Sequence, residues 1–313
     1  MKKEFTPDKL IDREAEQEIF EKLLLHEDDA RLLTISDQGG QGKSALLKRL
    51  HYNCFYWKEM PVCLIELQHR EDRGPFQIVE EIRNDFRANF PRLQFKEFDY
   101  LNARRMDQEP SAFGVGSGAV QGSIQGTVNA QTATLGGSNN LVAGVGLQNV
   151  EKVIINPNSP AVWTPDREED ARNQCVTAFF KDLKVICLEE TVVLLLDTWD
   201  GCKNDKLRNW ILKVLLWQHC FDLENRPGRF VLVLSGREEG FPNFKSILKD
   251  RYSTFVRSIE SLGEWNEKHV KEFLIVHGYD QVGDLEVQLI CAKIKKGWPL
   301  ETALRFVADY FAN

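Results

Sequence analysis

The stretch Leu32–Leu47, LLTISDQGGQGKSALL, decides the fold of this chain. Its first residues form a short apolar run that predicts a buried strand, and its last residues are apolar again and predict a helix. Between strand and helix stands a glycine turn, Gly39-Gly40-Gln41-Gly42, and Lys43 and Ser44 open the helix. A strand, a glycine turn and a helix that begins with Lys-Ser form the pattern of a phosphate-binding loop.

Each residue type in this loop has a chemical role. Glycines allow backbone N–H groups to close around phosphate oxygens, and the helix N-terminus adds about half a positive charge. Lys43 would reach the β- and γ-phosphates of a nucleotide, and the Ser44 hydroxyl would ligate Mg²⁺. No Asn-Lys-x-Asp motif of GTPases occurs, which favours ATP over GTP. We therefore expect ATP or ADP with Mg²⁺ as cofactors, bound by Gly39, Gly40, Gln41, Gly42, Lys43, Ser44 and Ala45.

One position departs from the full pattern. The loop signature has a glycine five residues before Gly42, and this chain has Asp37 there. A carboxylate near a phosphate is electrostatically unfavourable unless it points away from the phosphate. The alternative interpretation of the stretch is an ordinary strand-to-helix turn that contains glycines, and the rest of the chain decides between the two.

Length and composition describe a globular chain. With 313 residues, of which 42% are hydrophobic, the chain is long enough for about two domains and a sizeable core. The net charge of -7 argues against a protein built around nucleic acid, so we expect no nucleic-acid partner. No apolar stretch reaches the length of a membrane span, and no signal peptide is recognised. Seven scattered cysteines without a CxxC pair are typical of reduced core residues in a cytoplasmic protein.

Strand and helix patterns alternate through residues 1–258. A second buried strand is predicted at Pro61–Leu67, and a long amphipathic helix follows it. Two further buried strands are predicted at Thr191–Asp197 and Phe230–Leu234. Strands that alternate with helices predict an α/β fold with a parallel sheet flanked by helices. With the phosphate-binding loop, this predicts the nucleotide-binding domain of a P-loop NTPase.

Residues 111–160 interrupt this alternation as an insertion. From 111 to 150 the chain has no charged residue and is rich in Gly, Ser, Gln, Asn, Ala and Val. Within it VQGS at 120–123 is echoed by IQGT at 124–127. Two interpretations stay open, a flexible insertion in an outer loop or a small β-structure that stacks on itself or on neighbours. A short strand at Val153–Ile155 is predicted near the end of the insertion.

Polar residues after the third and fourth predicted strands complete the expected site. Asp197 ends its strand at the carboxyl edge of the sheet, where it can hold Mg²⁺ with its water shell. Asp200 could orient or deprotonate the attacking water. Arg237 could sense the γ-phosphate, and the alternative is a surface arginine paired with Glu238 or Glu239. The candidate catalytic residues are therefore Lys43, Asp197, Asp200 and Arg237, and the candidate metal ligands are Ser44 and Asp197.

The last part of the chain, residues 259–313, shows helical patterns only. Helices are predicted at Asn266–His277, Leu285–Lys295 and Glu301–Phe311. The sequence GWPL at 297–300 breaks the chain before the last of them. We therefore expect a small helical subdomain after the α/β domain.

The order of these motifs resembles the STAND class of P-loop ATPases, which includes the AP-ATPase and NACHT types. The loop GGQGKS at 39–44 matches the GGxGK[ST] of that class. Ile11–Glu16 is similar to its hxGRExE segment near the adenine, with Asp12 in place of the glycine. The resemblance therefore implies that Arg13 lies at the nucleotide.

Three further motifs carry the resemblance. LLLDTWDG at 194–201 is similar to the hhhhDxxDE form of the Walker B motif, but Gly201 replaces the final glutamate, which implies slow hydrolysis. Arg237 is similar to the strand-end arginine that reads the γ-phosphate. Gly297-Trp298-Pro299-Leu300 is similar to the GxP motif, in which the proline, here Pro299, approaches the bound nucleotide.

The resemblance implies a signalling switch. ADP would hold the helical subdomain closed, and ATP would permit assembly into a homo-oligomer. Members of the class usually carry an effector module and a sensor of repeats, and this chain shows neither. We therefore expect a fragment, or separate effector or sensor chains as partners, or an insertion that makes these contacts.

Two hypotheses from other classes stay open. An AAA+ or origin-recognition-like ATPase that acts on nucleic acid would need a basic surface, against which the net charge argues. A P-loop kinase would need an arginine-rich lid over a second substrate, and the sequence offers no such cluster.

Overall fold

The computed structural model describes residues 6–310 except 28, 69–71, 109–164, 238–252, 297 and 299. Five strands form one sheet: β1 Leu32–Ser36, β2 Val62–Glu66, β3 Val192–Asp197, β4 Phe230–Gly236 and β5 Val256–Ile259. All neighbours pair in parallel, in the order β2-β3-β4-β1-β5. The expected α/β fold with a parallel sheet is therefore confirmed.

The three inner strands are buried along their whole length. Every residue of β1, β3 and β4 is buried, and most of them are Leu, Val, Ile or Phe. Continuous apolar strands of this kind occur where helices cover both faces of a parallel sheet. Burial of these side chains supplies the main stabilisation of the domain, at about 25 cal/mol per Å² of apolar surface.

Nine α-helices are present in the part of the chain that the structure describes. They are α1 Glu14–Leu24, α2 Lys43–Tyr52, α3 Pro75–Asn89, α4 Lys96–Gln108, α5 Pro165–Glu189, α6 Asp205–Trp210, α7 Glu267–Val276, α8 Asp284–Lys295 and α9 Leu300–Tyr310. Two helices continue as π-helix, at Asn53–Trp57 after α2 and at Ile211–Phe221 after α6. Short 3₁₀ turns lie at Pro7–Lys9, Trp199–Gly201 and Ser253–Phe255.

Helices α4 and α5 form an antiparallel pair beside the sheet. The rings of Phe95 and Phe179 stack with centroids 5.1 Å apart, and Lys181 pairs with Glu97 at 2.8 Å. The backbone N–H of Phe98 donates to Asp182 at 2.9 Å. The end of α4 and the start of α5 therefore lie at the same end of the pair.

The three C-terminal helices pack on one another, α7 on α8 and α8 on α9. The segment 260–266 connects β5 to α7. The predicted helices at the C-terminus are confirmed to within one or two residues at each end.

Strand β5 and helix α4 were not predicted, whereas the strands predicted at Pro61–Leu67, Thr191–Asp197 and Phe230–Leu234 are confirmed with small shifts. All seven cysteines are buried and none forms a disulfide, as predicted. No helix in the described ranges is both long and apolar enough to span a membrane. The insertion 111–160, the strand predicted at Val153–Ile155, and Gly297 and Pro299 of the GxP-like motif lie outside the described residues.

Candidate nucleotide-binding site

The glycine turn lies at the carboxyl edge of the sheet. β1 stands between β4 and β5, and residues 37–42 connect it to α2. The chain leads from β1 to β2 at one edge of the sheet and from β4 to β5 at the other edge. Where adjacent strands lead in opposite directions, a crevice opens at their carboxyl ends, and ligands of open α/β sheets bind there. The turn therefore faces such a crevice.

Two glycines of the turn have backbone conformations that favour glycine. Gly40 has a φ of 83° and Gly42 a φ of 87°, both in the left-handed region. Gly42 directly precedes α2, so the turn passes into a helix N-terminus. A Cβ at Gly39 would lie 3.6 Å from the side chain of Arg237. The turn can therefore bring backbone amides and a helix N-terminus to one phosphate.

Lys43 lies along the start of the turn. Its Nζ donates hydrogen bonds to the carbonyl oxygens of Asp37, at 2.8 Å, and Gln38, at 2.6 Å. Burial lowers the pKa of the Lys43 ammonium, and the carboxylates of Asp37, Asp200 and Asp197 oppose that shift. Lys43 therefore shares one electrostatic environment with three acids from two segments of the chain, the start of the glycine turn and the end of β3.

The two residues after Lys43 occupy the first turn of α2. The side chain of Ser44 is exposed, and Ala45 is half-buried against the core. An exposed hydroxyl at a helix N-terminus beside the crevice is accessible to a metal ion and to phosphate oxygens. Ser44 thus fits the predicted role of a Mg²⁺ ligand, which stays a prediction.

Asp197 ends β3 and is almost fully buried. Its Oδ1 accepts hydrogen bonds from the Ser235 hydroxyl, at 3.1 Å, and from the backbone N–H of Thr198, at 2.8 Å. Ser235 lies on the neighbouring strand β4 and is fully buried. Thr198 has a φ of 56°, an uncommon conformation for a β-branched residue. One carboxylate oxygen is therefore held in place by two donors.

The acids of the site fit a magnesium ion better than a metal held by protein alone. Among the described residues no group of three or more His, Cys, Asp or Glu side chains is placed to hold a metal ion. Mg²⁺ is usually bound by one or two protein oxygens, phosphate oxygens and water. Asp197 and Ser44 can supply the protein oxygens, and the nucleotide would have to supply the phosphate oxygens.

Asp200 and Arg237 are paired. Asp200 Oδ1 accepts the backbone N–H of Arg237 at 2.8 Å, and Oδ2 lies 3.4 Å from Arg237 Nε. Asp200 therefore holds the strand-end arginine at the rim of the crevice. The roles of general base for Asp200 and γ-phosphate sensor for Arg237 stay predictions. Glu238 and Glu239, the alternative partners of Arg237, lie outside the described residues.

Gly201 has little space for a side chain. A Cβ there would lie 3.0 Å from Thr198 Cγ2 and 3.3 Å from the Gln68 side chain. A contact of 3.0 Å between carbon atoms is well inside their van der Waals distance. A side chain at the position that carries glutamate in the Walker B pattern would therefore require the side chains of Thr198 and Gln68 to shift by a few tenths of an ångström.

Arg13 connects the N-terminal segment to the glycine turn. It is almost fully buried and directly precedes α1, and its Nη2 donates to the carbonyl oxygen of Gln41 at 3.2 Å. Arg13 therefore contacts the turn, and its role at a bound nucleotide stays a prediction. Asp12 has a φ of 56°, in the left-handed region that favours glycine. Asp12 Oδ2 lies 3.0 Å from Nδ1 of His269 on α7.

Three contacts of the site were not predicted from the sequence. They are the hydrogen bond from Ser235 to Asp197, the contact of Asp12 with His269, and a hydrogen bond from the backbone N–H of Leu262 to Asp37 Oδ2 at 2.7 Å. Each contact joins residues that are far apart in the chain, so no local sequence pattern predicts it. Pro299, the last predicted site residue, lies outside the described residues.

Comparisons with known proteins find solved structures that are similar to this chain in fold, and no match in sequence. No family model matches the chain, and no curated protein matches its sequence. Among solved structures, Drosophila ORC bound to DNA is 14% identical, with a TM-score of 0.48 over 99% of this chain and 59% of its own. Cdc6p from Pyrobaculum aerophilum is 12% identical, with a TM-score of 0.43 over 92% of this chain and 56% of its own. The Aeropyrum pernix ORC2 protein is 10% identical, with a TM-score of 0.44 over 96% of this chain and 61% of its own.

The chain thus spans less than two thirds of the length of these solved chains. Their low identity limits the likeness to the fold. The sheet order and the glycine turn before α2 agree with the fold of P-loop ATPases. The solved structures belong to the ORC and Cdc6 proteins of the second sequence hypothesis, and membership of the STAND class stays a prediction.

Proposed function

We propose that this chain binds ATP and ADP with Mg²⁺ and hydrolyses ATP slowly. The observation that carries the proposal is the glycine turn at the carboxyl edge of the sheet, with Lys43 directly after it and Asp197 at the end of β3. A strand-end turn of this kind, a helix N-terminus, a lysine and a buried carboxylate are the parts that phosphoryl chemistry uses.

The residues of the site have separate tasks in this proposal. Lys43 leaves the carbonyl oxygens of Asp37 and Gln38 and donates to the phosphates. Ser44 and Asp197 hold Mg²⁺, which neutralises charge between the phosphates when it is bound. Because Asp37, Asp197 and Asp200 bring three negative charges against Lys43 and Arg237, the crevice without metal is unfavourable for a polyphosphate. Nucleotide binding should therefore depend strongly on Mg²⁺.

Two observations support slow rather than fast hydrolysis. Gly201 stands where the Walker B pattern has glutamate, and a side chain there would be tight against Thr198 and Gln68. Asp200, the other candidate base, is engaged by the backbone and the guanidinium of Arg237. A base that already accepts one hydrogen bond and lies in an ion pair orients a water molecule less effectively.

We further propose that the bound nucleotide acts as a switch, as the STAND-like motif order implies. ADP and ATP would favour different arrangements of the helices after β5, and the ATP form would assemble into a homo-oligomer or recruit separate effector or sensor chains. Contacts of the phosphate loop with Leu262 and, through Arg13 and Asp12, with His269 support this extension.

Action on nucleic acid is the second candidate. It comes from the ORC and Cdc6 names of the solved structures, one of which is ORC bound to DNA. The net charge of -7 favours the first candidate. Binding of duplex DNA that weakens steeply with salt would revive the second.

One experiment tests the function and separates the candidates. The purified protein is denatured, the released nucleotide is identified by chromatography, and particle size is followed by light scattering with ADP and with a non-hydrolysable ATP analogue. Bound ADP, and a larger particle only with the ATP analogue, are expected for the switch. No nucleotide and no binding of added MgATP would refute the proposed function, and growth in size only with added DNA would favour the second candidate.

A further inference from the structure

The acid that breaks the phosphate-loop pattern has a specific partner outside the loop. Asp37 Oδ2 accepts the backbone N–H of Leu262 at 2.7 Å, and Oδ1 accepts the backbone N–H of Gln38 at 2.6 Å. Leu262 is almost fully buried, in the segment 260–266 that leads from β5 to α7. A buried backbone N–H must be paired, and a carboxylate is a strong acceptor for it.

The same residue also contacts the phosphate-binding lysine. Lys43 Nζ donates to the carbonyl oxygen of Asp37 at 2.8 Å. Asp37 therefore joins Lys43 and Leu262 through two of its own atoms. When Lys43 turns to a phosphate, it gives up this carbonyl, and the residue that holds Leu262 loses one of its fixed contacts.

Segment 260–266 is packed on the C-terminal helices. Cys291 Sγ on α8 donates to the carbonyl oxygen of Trp265 at 3.4 Å. The ring of Trp265 meets Phe273 on α7 edge-on, with centroids 5.2 Å apart. Leu262 is therefore connected to α7 and α8 through Trp265, three residues further along the chain.

A second route joins the turn to the same helices. Arg13 donates to the carbonyl oxygen of Gln41 in the turn, and its neighbour Asp12 contacts His269 on α7. Both ends of the glycine turn, Asp37 before it and Gln41 within it, are thus connected to the C-terminal helices by short contacts that need no nucleotide.

We propose that Asp37 is a positioning residue that ties the phosphate loop to segment 260–266, so that nucleotide bound at the loop changes the hydrogen-exchange protection of this segment and of α7. The carboxylate stands where the loop pattern has glycine, and the tie to Leu262 is the role that it fills. The coupling rests on the proposed nucleotide binding, whereas the tie does not. A ligand shifts the helices only as far as it favours one arrangement over the other.

The test compares Asp37→Gly, Asp37→Asn and the wild type by hydrogen–deuterium exchange of peptides that cover 260–277. Asn keeps an acceptor oxygen for Leu262 and removes the charge, and Gly removes the acceptor and restores the usual loop residue. Ser261→Ala is the matched control, because Ser261 Oγ accepts the N–H of Gly263 in the same segment but does not contact Asp37. Thermal melting of each variant shows that it is folded.

Without nucleotide, the Leu262 amide should exchange about ten-fold faster in Asp37→Gly than in the wild type, as expected for the loss of one hydrogen bond to a charged group. Asp37→Asn and Ser261→Ala should stay close to the wild type. With MgADP, exchange in 260–277 should change in the wild type, Asp37→Asn and Ser261→Ala. The change should be smaller in Asp37→Gly, which still binds the nucleotide and keeps only the route through Arg13 and Asp12.

Equal exchange of Leu262 in Asp37→Gly and the wild type would refute the tie, whatever the nucleotide does. A change of exchange in 260–277 on addition of MgADP that is as large in Asp37→Gly as in the wild type would refute the coupling. A wild type that does not bind MgADP, with faster exchange in Asp37→Gly, would refute the proposed function and the coupling and would leave the tie confirmed.

Discussion

At the scale of single residues, the site depends on how its carboxylates are held. Asp197 presents Oδ1 to Ser235 and Thr198, which fixes the side chain before any metal ion binds. Asp37 and Asp200 are likewise held, by backbone amides of Leu262 and Arg237. Acids that are fixed by donors lose little further freedom when a ligand arrives, which favours a defined metal geometry.

Ser235→Ala tests the positioning of Asp197. Loss of the hydroxyl removes one of two donors to Oδ1, so we expect weaker Mg²⁺ binding in the presence of ATP, by about ten-fold, and a loss of roughly 1 kcal/mol of stability. Titration of Mg²⁺ into the protein with ATP measures the effect. An unchanged Mg²⁺ affinity would show that Ser235 serves packing only.

Gly201→Glu tests why the Walker B glutamate is missing. Because a Cβ at 201 would lie 3.0 Å from Thr198 Cγ2, we expect a drop in melting temperature and no gain in hydrolysis. Gly201→Ala is the control and should lose a similar share of stability. A rate of ATP hydrolysis that rises ten-fold or more, with normal melting, would contradict this account.

At the scale of elements, the sequence predicted the parts whose signal is local. The strands β1, β3 and β4 each contain a continuous apolar run. The glycine turn directly after β1 and Asp197 at the end of β3 are also local signals. Strand β5, VRSI, is short and has polar residues inside, so it does not differ from a loop by pattern. Helix α4 is rich in charge, and its aromatic face is recognised only once α5 covers it.

The site was predictable to the same extent. Lys43, Asp197 and Arg13 could be named as candidates because each belongs to a local motif beside a strand or a helix start, and their roles at a nucleotide stay predictions. The tie of Asp37 to Leu262 and the contact of Asp12 with His269 join segments more than 200 residues apart. Only the packing of the C-terminal part on the sheet creates them, so their residues carry no signal in the sequence.

The π-helix Ile211–Phe221 contains a histidine that makes the stability of the folded chain depend on pH. Its His219 stacks on Phe180 of α5 with centroids 3.8 Å apart, and burial lowers the pKa of His219 to about 4. The unfolded chain binds a proton near pH 6.5 and the folded chain does not, so stability falls as the pH drops from about 6.5 to 4. His219→Phe keeps an aromatic ring for the stack on Phe180. It should reduce the loss of stability at low pH by up to about 3 kcal/mol.

Chemical denaturation at pH 7 and pH 4.5 checks this prediction. The difference in the free energy of unfolding between the two pH values should be smaller in His219→Phe than in the wild type. His26, whose pKa is also lowered to about 4 by burial and by Arg31, Arg229 and Arg226, leaves part of the acid loss in both proteins. Equal differences in the two proteins would contradict the assignment to His219.

At the scale of the whole molecule, residues near both ends of the chain meet at one edge of the sheet. Asp12 and Arg13 come from the N-terminal segment, and Leu262 and His269 come from the C-terminal part. The phosphate loop stands between them. A ligand at this point can therefore act on segments from both ends of the chain.

Deletion of 111–150 tests whether the α/β domain needs the insertion. Because α4 and α5 are antiparallel and pair through Phe95 and Phe179, a short linker can close the gap. We expect the melting temperature to change by no more than about 4 °C, the shift that corresponds to roughly 1 kcal/mol. A fall of 10 °C or more would show that the segment packs as part of the core.

Calorimetric titration of MgATP and MgADP into the wild type and Lys43→Ala tests the central claim most directly. Lys48→Ala, on the same helix, is the matched control. We predict that the wild type and Lys48→Ala bind both nucleotides and that Lys43→Ala binds them about 100-fold more weakly, because a cation on the phosphates is lost. Binding by Lys43→Ala at the strength of the wild type, or no binding by the wild type, would contradict the assignment of this glycine turn as a nucleotide site.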